Sequence, residues 1–309
     1  MKDLKYISIK LLELIISMIF ISIVIFSLLY LAPGDPARVL LGVKQVSPET
    51  LDAIRDQYHL NEPLITQYWI WLSHAVTLDF GDSIRTGESV LATCGPYLIV
   101  TLKLVLFSFL LSVILGIGLG TVSAKHKDKL SDKIISNVAL VFTSAPSFAV
   151  GLLLIFIFGV KLGVLPIYGI GDGGLASDIS HLLLPAITLT VAVSALLLRI
   201  TRSQMLKETA SDYVTFMRAR AVAPYVITRS KLINASAPIL TSMGLLLATL
   251  FSATLLVETT FAIPGAGGLL ASSVVMKDVP VVQFLTLFLA FFIIVSQMIC
   301  DFIASKIRR

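Results

Sequence analysis

Charged residues are scarce in this sequence, since Asp, Glu, Lys and Arg make up only 14% of its 309 residues. A soluble domain of ordinary composition is about 25% charged. Hydrophobic residues reach 56%, the mean hydropathy is +0.93, and the excess runs along the whole chain. A single apolar soluble core does not explain that distribution, so the composition favours a polytopic membrane protein.

Cysteine and histidine are equally scarce. The two cysteines, Cys94 and Cys300, border or lie within apolar segments, and no disulfide framework is indicated. None of the four histidines has a neighbour at the spacing of metal ligands, so we interpret them as ordinary loop residues. They are His59, His74, His126 and His181.

Motifs for catalysis and nucleotide binding are also missing. The sequence has no His-Glu pair, nucleophile elbow or facing carboxylate pair, so we expect no catalytic residue, bound metal or cofactor in this chain. No G-x-x-x-x-G-K-[ST] segment occurs, which excludes ATP binding of the Walker type. GIGLG at Gly116–Gly120 lies deep in an apolar segment with no strand before it. It indicates close helix packing through small residues rather than a phosphate site.

Six apolar stretches come near the length of about 20 residues that a helix needs to cross the hydrocarbon core. The first apolar run is too long for a cleaved signal peptide, so we expect it to be a retained span. Pro146, early in the third stretch, predicts a kink. The predicted spans are Leu11–Leu31, Tyr97–Ala124, Val138–Val160, Leu182–Ile200, Ile239–Val257 and Val282–Ile303.

Basic residues are distributed unequally among the segments that join these spans. Most of the 24 Lys and Arg residues fall in alternate segments, beginning with the N-terminal one, whereas the first intervening loop is long and acidic. Because basic loops stay in the cytoplasm, both termini are predicted to be cytoplasmic. The net charge of +5 therefore does not indicate nucleic-acid binding. The basic residues assigned to the cytoplasmic side are Lys2, Lys5, Lys10, Lys125, Lys127, Lys129, Lys133, Arg199, Arg202, Lys207, Arg218, Arg220, Arg229, Lys231, Lys306, Arg308 and Arg309.

The first outer segment, Ala32 to Gly95, is longer than a simple connection. Within it, SPETLDAIRDQYHL predicts a short amphipathic helix with Ser47 as its N-cap and Pro48 in the first helical position. The aromatic residues of Tyr68–Trp71 form a cluster suited to the membrane interface. We expect this segment to be a helical cap over the outer mouth of the protein.

The stretch DYVTFMRARAVAPYVITRSKLINASAP, from Asp212 to Pro238, is basic and still has a helical pattern. Ser211 is the predicted N-cap of a helix that starts at Asp212. Pro224 is expected to end that helix and to open a second one that reaches Asn234. Apolar residues recur every three or four positions and predict one stripe on a helix face. They are Tyr213, Phe216, Met217, Ala221 and Pro224.

The residues alone leave three interpretations of this stretch open. A basic helix pair can lie on the bilayer with its cations toward lipid phosphates. A regulatory lipid site is a variant of that arrangement. A docking helix that inserts its apolar stripe into a groove of a soluble partner is the third.

The stretch resembles a signature of permease subunits of ABC importers for peptides and nickel. That signature has the form D-Y-V-x-x-x-R-A-(K/R)-G, followed by R-x-x-x-x-N-A-x-x-P. Alanine stands at position 221, where the family has glycine; because alanine preserves a helix, we expect docking to survive unless this position requires a positive φ. The matching residues are Asp212, Tyr213, Val214, Arg218, Ala219, Arg220, Arg229, Asn234, Ala235 and Pro238.

Four further segments resemble the same family, so the likeness covers nearly the whole chain. ETTFAIPGAGGLL follows the fifth span and matches the form E-x-x-F-x-x-P-G-x-G. Each segment alone is a weak signal, but their order and spacing on six spans make a specific one. The other three segments are APGDPA at Ala32–Ala37, LDFGDSI at Leu78–Ile84 and KDVPVVQ at Lys277–Gln283.

The resemblance implies an all-α polytopic membrane protein of the type I ABC importer permease architecture, with six transmembrane helices and an extracellular helical insertion after the first. Residues 1–95 would form the first span and the insertion. Residues 96–309 would form a five-span core that carries a cytoplasmic coupling loop at 201–237. Expected partners are a second homologous permease, two cytoplasmic ATPase subunits that use ATP and magnesium, an extracellular binding protein and the lipid bilayer.

The implied function is to form half of the translocation pathway of an ATP-driven importer of small peptides, in the cell membrane of a prokaryote. Nickel or a metal chelate is the alternative cargo. A gradient-driven secondary transporter would show inverted repeats and buried acids, which are not evident here, and an assembly protein without a substrate is a third class.

Two sets of residues are predicted to act in this function. The ATPase-coupling set would fill a groove of the partner with apolar side chains and fix its orientation with arginines. The outer-mouth set would form a tight, exposed turn that contacts the binding protein, with Glu258 as a charged group on the path. Lys103 is interpreted as a snorkelling residue. The first set is Asp212, Tyr213, Phe216, Met217, Arg218, Arg220 and Ala221; the second is Glu258, Phe261, Pro264, Gly265 and Gly267.

Overall fold

The computed structural model describes residues 2–31, 37, 47–57 and 59–307, and helices dominate this part of the chain. Within these residues the only β feature is an isolated antiparallel bridge between Asp82 and Ser89. Of the APGDPA segment, only Ala37 belongs to the described residues. The helices are α1 (Lys2–Leu31), α2 (Pro48–Gln57), α3 (Leu64–Val76), α4 (Val90–Lys125), α5 (Leu130–Ser144), α6 (Ser147–Leu154, continued by the π-helical turn Ile155–Lys161), α7 (Leu175–Thr209), α8 (Asp212–Ala219), α9 (Pro224–Thr260), α10 (Ala266–Val275) and α11 (Val279–Ile307).

Five of these helices are long and apolar enough to cross a membrane, and a sixth crossing is reached if a bent helix pair counts as one span. Helices α4, α7 and α9 extend well beyond the predicted apolar cores of spans two, four and five. In α7 and α9 the extension carries the helix into the basic segment next to the span. The predicted second loop helix, Tyr225 to Asn234, is therefore not separate, because it continues into the fifth span as α9.

The third predicted span is not one continuous helix. Helix α5 ends at Ser144, helix α6 begins at Ser147, and their axes differ by 105°. Proline disfavours a helical conformation for the residue before it, and Ala145, which precedes Pro146, has an extended backbone at φ −80° and ψ 131°. Pro146 thus breaks this segment, where the sequence predicted only a kink.

Contacts between Cα atoms divide the chain into two compact units. One comprises residues 1–101 and 264–294, and the other comprises residues 102–263 and 295–309. The predicted division at residue 95 separates the first span and the insertion from the five-span core, and it stays a prediction.

In the first unit, the N-terminal helix and the outer segment are joined by aromatic side chains. Tyr68 on α3 makes an edge-to-face contact with Phe26 on α1, and its hydroxyl lies 2.8 Å from that of Ser22. Trp71 packs against Phe26 and donates a hydrogen bond to Gln283 over 3.1 Å. Two members of the predicted aromatic cluster, Tyr68 and Trp71, are therefore packed within this unit, whereas Trp69 is 62% exposed. The SPET helix is confirmed as α2, with Pro48 as its first residue.

A buried carboxylate connects two of the family-like segments in the same unit. Asp278, in KDVPVVQ, is 2% exposed. Its oxygens accept hydrogen bonds from the Ser83 hydroxyl at 2.6 Å and from the Ile84 amide at 3.1 Å. Ser83 and Ile84 belong to LDFGDSI, and Phe80 of the same segment makes an edge-to-face contact with Phe284, with ring centroids 5.2 Å apart. These contacts fix the loop that precedes α4 against the start of α11.

In the second unit, helix α7 is the central element, with α9, α5 and α6 packed against it. The GIGLG segment of α4 also approaches α7. A Cβ atom on Gly116 would lie 2.8 Å from Leu197, and one on Gly120 would lie 2.7 Å from the carbonyl oxygen of Leu198, whereas Gly118 faces open space. The prediction of close packing through small residues is confirmed for two of the three glycines.

Candidate functional site

Helix α8 begins at the predicted residue, directly after a short turn at the end of α7. Ser211 has the extended backbone of an N-cap residue, at φ −78° and ψ 151°. Its hydroxyl does not cap α8, because it donates to the carbonyl oxygen of Glu208 at 2.6 Å. Asp212 supplies the favourable negative charge in the first turn.

The end of α8 differs from the expectation for Ala221. The helix stops at Ala219, and Ala221 adopts φ +52°. Its amide donates to the carbonyl oxygen of Arg218, and the amide of Val222 donates to that of Met217, at 2.9 and 3.0 Å. This pair of bonds forms a Schellman motif, whose left-handed residue is usually glycine. Ala221 therefore ends the helix instead of preserving it, and the positive φ named as the condition against docking is present. Because the turn forms with alanine in this conformation, docking at α8 stays a prediction.

The face of α8 that lies against the chain is held by one hydrogen bond and by apolar packing. The Tyr213 hydroxyl donates to Glu208 Oε2 at 2.9 Å, and Val214 is fully buried. Burial, together with the Glu208 carboxylate, raises the pKa of Tyr213, so the phenol stays protonated and can donate this bond. Met217 is half-buried. Helix α8 is thus attached firmly to the end of α7.

The opposite face exposes aromatic and basic side chains. Phe216 is 69% exposed, and Tyr225, in the first turn of α9, is 76% exposed. Arg218 and Arg220 are exposed as well. The predicted single apolar stripe is therefore divided, because Tyr213 and Met217 face the chain while Phe216 faces away from it. Exposed aromatic residues beside arginines are typical of protein interfaces.

A second connection joins the end of α7 to α9. Lys231 on α9 is only 7% exposed, and its ammonium donates to the Thr209 hydroxyl over 2.9 Å. Together with Glu208, these are residues whose contacts the sequence did not predict. Glu208 and Thr209 lie directly before the break between α7 and α8, whereas Lys231 lies two turns inside α9 and carried no signal in the sequence.

The predicted outer-mouth residues are mostly buried. Phe261 is 1% exposed and packs on Gly151 of α6, and its carbonyl accepts a hydrogen bond from the Gly169 amide at 3.1 Å. Gly265 and Gly267 are buried, and Pro264 is the one exposed member of the set. The turn is therefore not the exposed loop that its composition predicted. Its contact with a binding protein stays a prediction.

The two polar residues singled out near the ends of spans also differ from expectation. Glu258, near the end of α9, is 0% exposed and so does not face an open path in this structure. Lys103 does not snorkel alone, because its ammonium forms an ion pair with Asp178 of α7 at 2.7 Å.

Two family descriptions cover nearly the whole chain. Residues 116–309 match the family described as "Binding-protein-dependent transport system inner membrane component", and residues 3–107 match the description of its N-terminal part. The chain belongs to this family. It is the permease of an ABC importer, and it is a multi-pass membrane protein.

Individual relatives agree with the family. The chain is 33% identical over 306 residues to the "Glutathione transport system permease protein GsiC" of Escherichia coli K12 and to the protein of that name from Shigella dysenteriae. The matches cover 99% of this chain and 98% of each relative. Among solved structures, the MetNI methionine ABC transporter in its inward-facing conformations matches with a TM-score of 0.55 and 17% identity, over 69% of this chain and 95% of that one. The fold is that of an ABC importer permease.

Family membership also defines the general kind of partner. A binding-protein-dependent permease works with a substrate-binding protein and with an ATPase. The ATP-driven class is therefore supported over the gradient-driven transporter that the residues alone left open.

Proposed function

We propose that this chain forms half of the translocation pathway of an importer for small peptides, including peptides of the size and charge of glutathione. The observation that carries this proposal is the 33% identity with glutathione permeases over 99% of the chain. A second, homologous permease completes the pathway, and two ATPase subunits bind from the cytoplasm.

Helix α8 is the element to which an ATPase subunit docks, and both termini are cytoplasmic in this proposal. The distribution of basic residues supports the orientation, since α8 and the ends of α7 and α9 carry Arg218, Arg220, Arg229 and Lys207. The permease itself is non-catalytic and holds no cofactor. ATP and magnesium are used by the ATPase subunits.

The exposure of Phe216 and Tyr225 favours a docking surface at α8 rather than a surface that stays in contact with water. Two large aromatic residues exposed by 69% and 76% are costly to leave in water. The Tyr213–Glu208 hydrogen bond at the start of α8 and the Schellman turn at its end keep this helix ordered before any partner binds. A preformed helix loses little conformational entropy on docking, which favours affinity.

Transport is tested in proteoliposomes that contain this permease with its second permease, ATPase subunits and binding protein. We expect ATP-dependent uptake of labelled glutathione or of a labelled dipeptide, and no uptake of labelled nickel ions. Uptake of nickel without uptake of either peptide would refute the peptide assignment.

Docking is tested by cross-linking. Phe216→Cys is expected to cross-link to an ATPase subunit, whereas Tyr168→Cys, at a similarly exposed position on the loop between α6 and α7, is not. The double variant Arg218→Glu with Arg220→Glu is expected to abolish uptake through charge reversal at the interface. Normal uptake by that variant would refute the assignment of α8.

A further inference from the structure

Helices α4, α5 and α7 meet at one buried carboxylate, that of Asp132. Asp132 lies in the first turn of α5 and is 3% exposed. Arg202 on α7 binds it with two parallel hydrogen bonds, from Nε to Oδ1 at 2.8 Å and from a terminal nitrogen to Oδ2 at 2.7 Å. The Ser123 hydroxyl, near the end of α4, donates to Oδ1, and the Asp128 amide donates to Oδ2.

This arrangement leaves the carboxylate fully engaged. A two-pronged arginine–carboxylate pair fixes both distance and angle. The Ser123 hydroxyl and the Asp128 amide occupy the remaining positions on the oxygens, and the Ser136 hydroxyl lies 3.5 Å from Oδ1. Such a pair resists separation, because removal of either partner leaves a buried charge without compensation. Apolar packing of Ala139 on α5 against Ala195 and Leu198 on α7 adjoins it. The ends of the three helices are thus fastened together at a single point.

Helix α7 also leads directly to α8. Residues from Arg202 to Thr209 are one uninterrupted helical segment. At its end, Glu208 accepts the hydrogen bond from Tyr213 of α8. A displacement of α8 would therefore act on α7 and, through Arg202 and Asp132, on α4 and α5.

We propose that Asp132 is a positioning residue of the transport cycle, which fastens the ends of α4, α5 and α7 so that they move with α8 as one body. The inference rests on the proposed docking of an ATPase at α8. It adds how a movement of α8 reaches α4 and α5 through α7. It assigns Arg202 and Ser123 as the two side chains through which Asp132 acts. Helices fixed to one another in this way move as a rigid body, which is one of the recurring forms of conformational change in proteins.

The test compares two ion pairs on the same helix. Arg202→Met removes the buried pair, and Lys103→Met removes the exposed pair with Asp178 near the other end of α7, where the lysine side chain is 52% exposed. Both variants are assembled with the second permease, ATPase subunits and binding protein. Labelled glutathione transported per ATP hydrolysed is then measured, after thermal midpoints have been recorded.

We expect Arg202→Met to keep ATP hydrolysis and to lower transport per ATP by about tenfold, within the range that changes along a coupling network produce. Lys103→Met is expected to leave the ratio at the wild-type value. Equal ratios for the two variants would overturn the proposal. If the Arg202→Met permease does not assemble with its partner subunits, transport per ATP is measured for Arg202→Lys instead, since lysine keeps the charge without the two-pronged contact. An unchanged ratio in Arg202→Lys then overturns the proposal.

A second measurement does not depend on the cargo. Leu130→Cys on α5 and Lys207→Cys on α7 are exposed positions for spin labels, and the native Cys94 and Cys300 are buried. The label distance is expected to be single and equal in nucleotide-free and ATP-bound complexes, and to broaden with Arg202→Met in the isolated permease. A distance between the two labels that changes with ATP in the otherwise wild-type permease overturns the proposed role of Asp132. Absence of any ATP-dependent uptake by the wild type overturns the proposed function instead.

Discussion

Replacement of Ala221 by glycine tests the local geometry of the coupling loop. Ala221 has φ +52° and occupies the left-handed position of a Schellman motif at the end of α8. In that conformation the Cβ of an L-residue approaches the following carbonyl oxygen, which glycine avoids. The variant Ala221→Gly should therefore stabilise the turn without changing its path.

The size of the effect follows from two opposing contributions. The left-handed conformation costs an alanine about 1–2 kcal/mol. Glycine gives the unfolded loop more freedom, which returns about 0.4–1 kcal/mol. The expected net gain is about 1 kcal/mol in the free energy of opening the turn, or roughly fivefold in its opening equilibrium.

Hydrogen exchange of the amides at positions 221 and 222 measures this opening directly. Both amides are engaged in the Schellman bonds, at 2.9 and 3.0 Å, and exchange only when the turn opens. After correction for intrinsic rates, Ala221→Gly should increase their protection about fivefold. Affinity of the permease for the ATPase subunits should rise in the same direction, because docking requires the closed turn.

Ala219 provides a matched control of opposite sign. It is the last residue of α8, is exposed and has an ordinary helical backbone. Glycine there should lower protection, since glycine costs up to about 1 kcal/mol in a helix. Changes of protection in the same direction for Ala221→Gly and Ala219→Gly would refute the left-handed strain assigned to Ala221.

The other predictions concern packing and anchoring. Gly120→Ala should lower the thermal midpoint of the purified permease, because the new Cβ would lie 2.7 Å from a carbonyl oxygen. Gly118→Ala places its Cβ in open space and should leave the midpoint unchanged. Equal shifts of the midpoint in the two variants would contradict the close packing at Gly120. Tyr213→Phe should speed tryptic cleavage at Arg218 and Arg220 by at least about tenfold, since loss of a hydrogen bond to a carboxylate costs about 1.5–3 kcal/mol. An unchanged rate would show that the bond does not hold α8. Asp278→Asn should speed proteolysis of residues 82–89 by weakening the bond to the Ser83 hydroxyl, and unchanged cleavage would contradict that anchor.

Features that depend on local sequence were predicted well. Apolar length identified the five long apolar helices but not the break in the third predicted span, and the first residue of α8 was predicted as Asp212 although the Ser211 hydroxyl does not cap the helix. Small residues in GIGLG indicated helix packing, which the structure confirms at Gly116 and Gly120. In each case a property of a few adjacent residues determines the outcome.

Features that depend on distant partners were missed. Asp132 and Arg202 are separated by 70 positions, and charge counting assigns Arg202 to a side of the membrane without naming its partner. Ala221 has a high intrinsic helix propensity, yet the Schellman bonds impose φ +52° on it. Pro146 predicts a disturbed helix, whereas the 105° bend depends on where α5 and α6 pack.

The outer turn shows the same division between local and distant causes. Pro264, Gly265 and Gly267 predict a turn by composition, and a turn does follow α9. Its burial is set by contacts that composition does not contain, such as the hydrogen bond from the Ala266 amide to the Thr101 hydroxyl at 2.7 Å.

The central claim is that this permease is moved by ATPase subunits docked at α8 and has no driving force of its own. The direct measurement is uptake of labelled glutathione into vesicles that contain the permease pair and binding protein, with and without ATPase subunits and ATP. We predict accumulation only when both ATPase and ATP are present, and none when Arg218→Glu and Arg220→Glu are combined. Accumulation against a concentration gradient by the permeases without an ATPase would contradict the account.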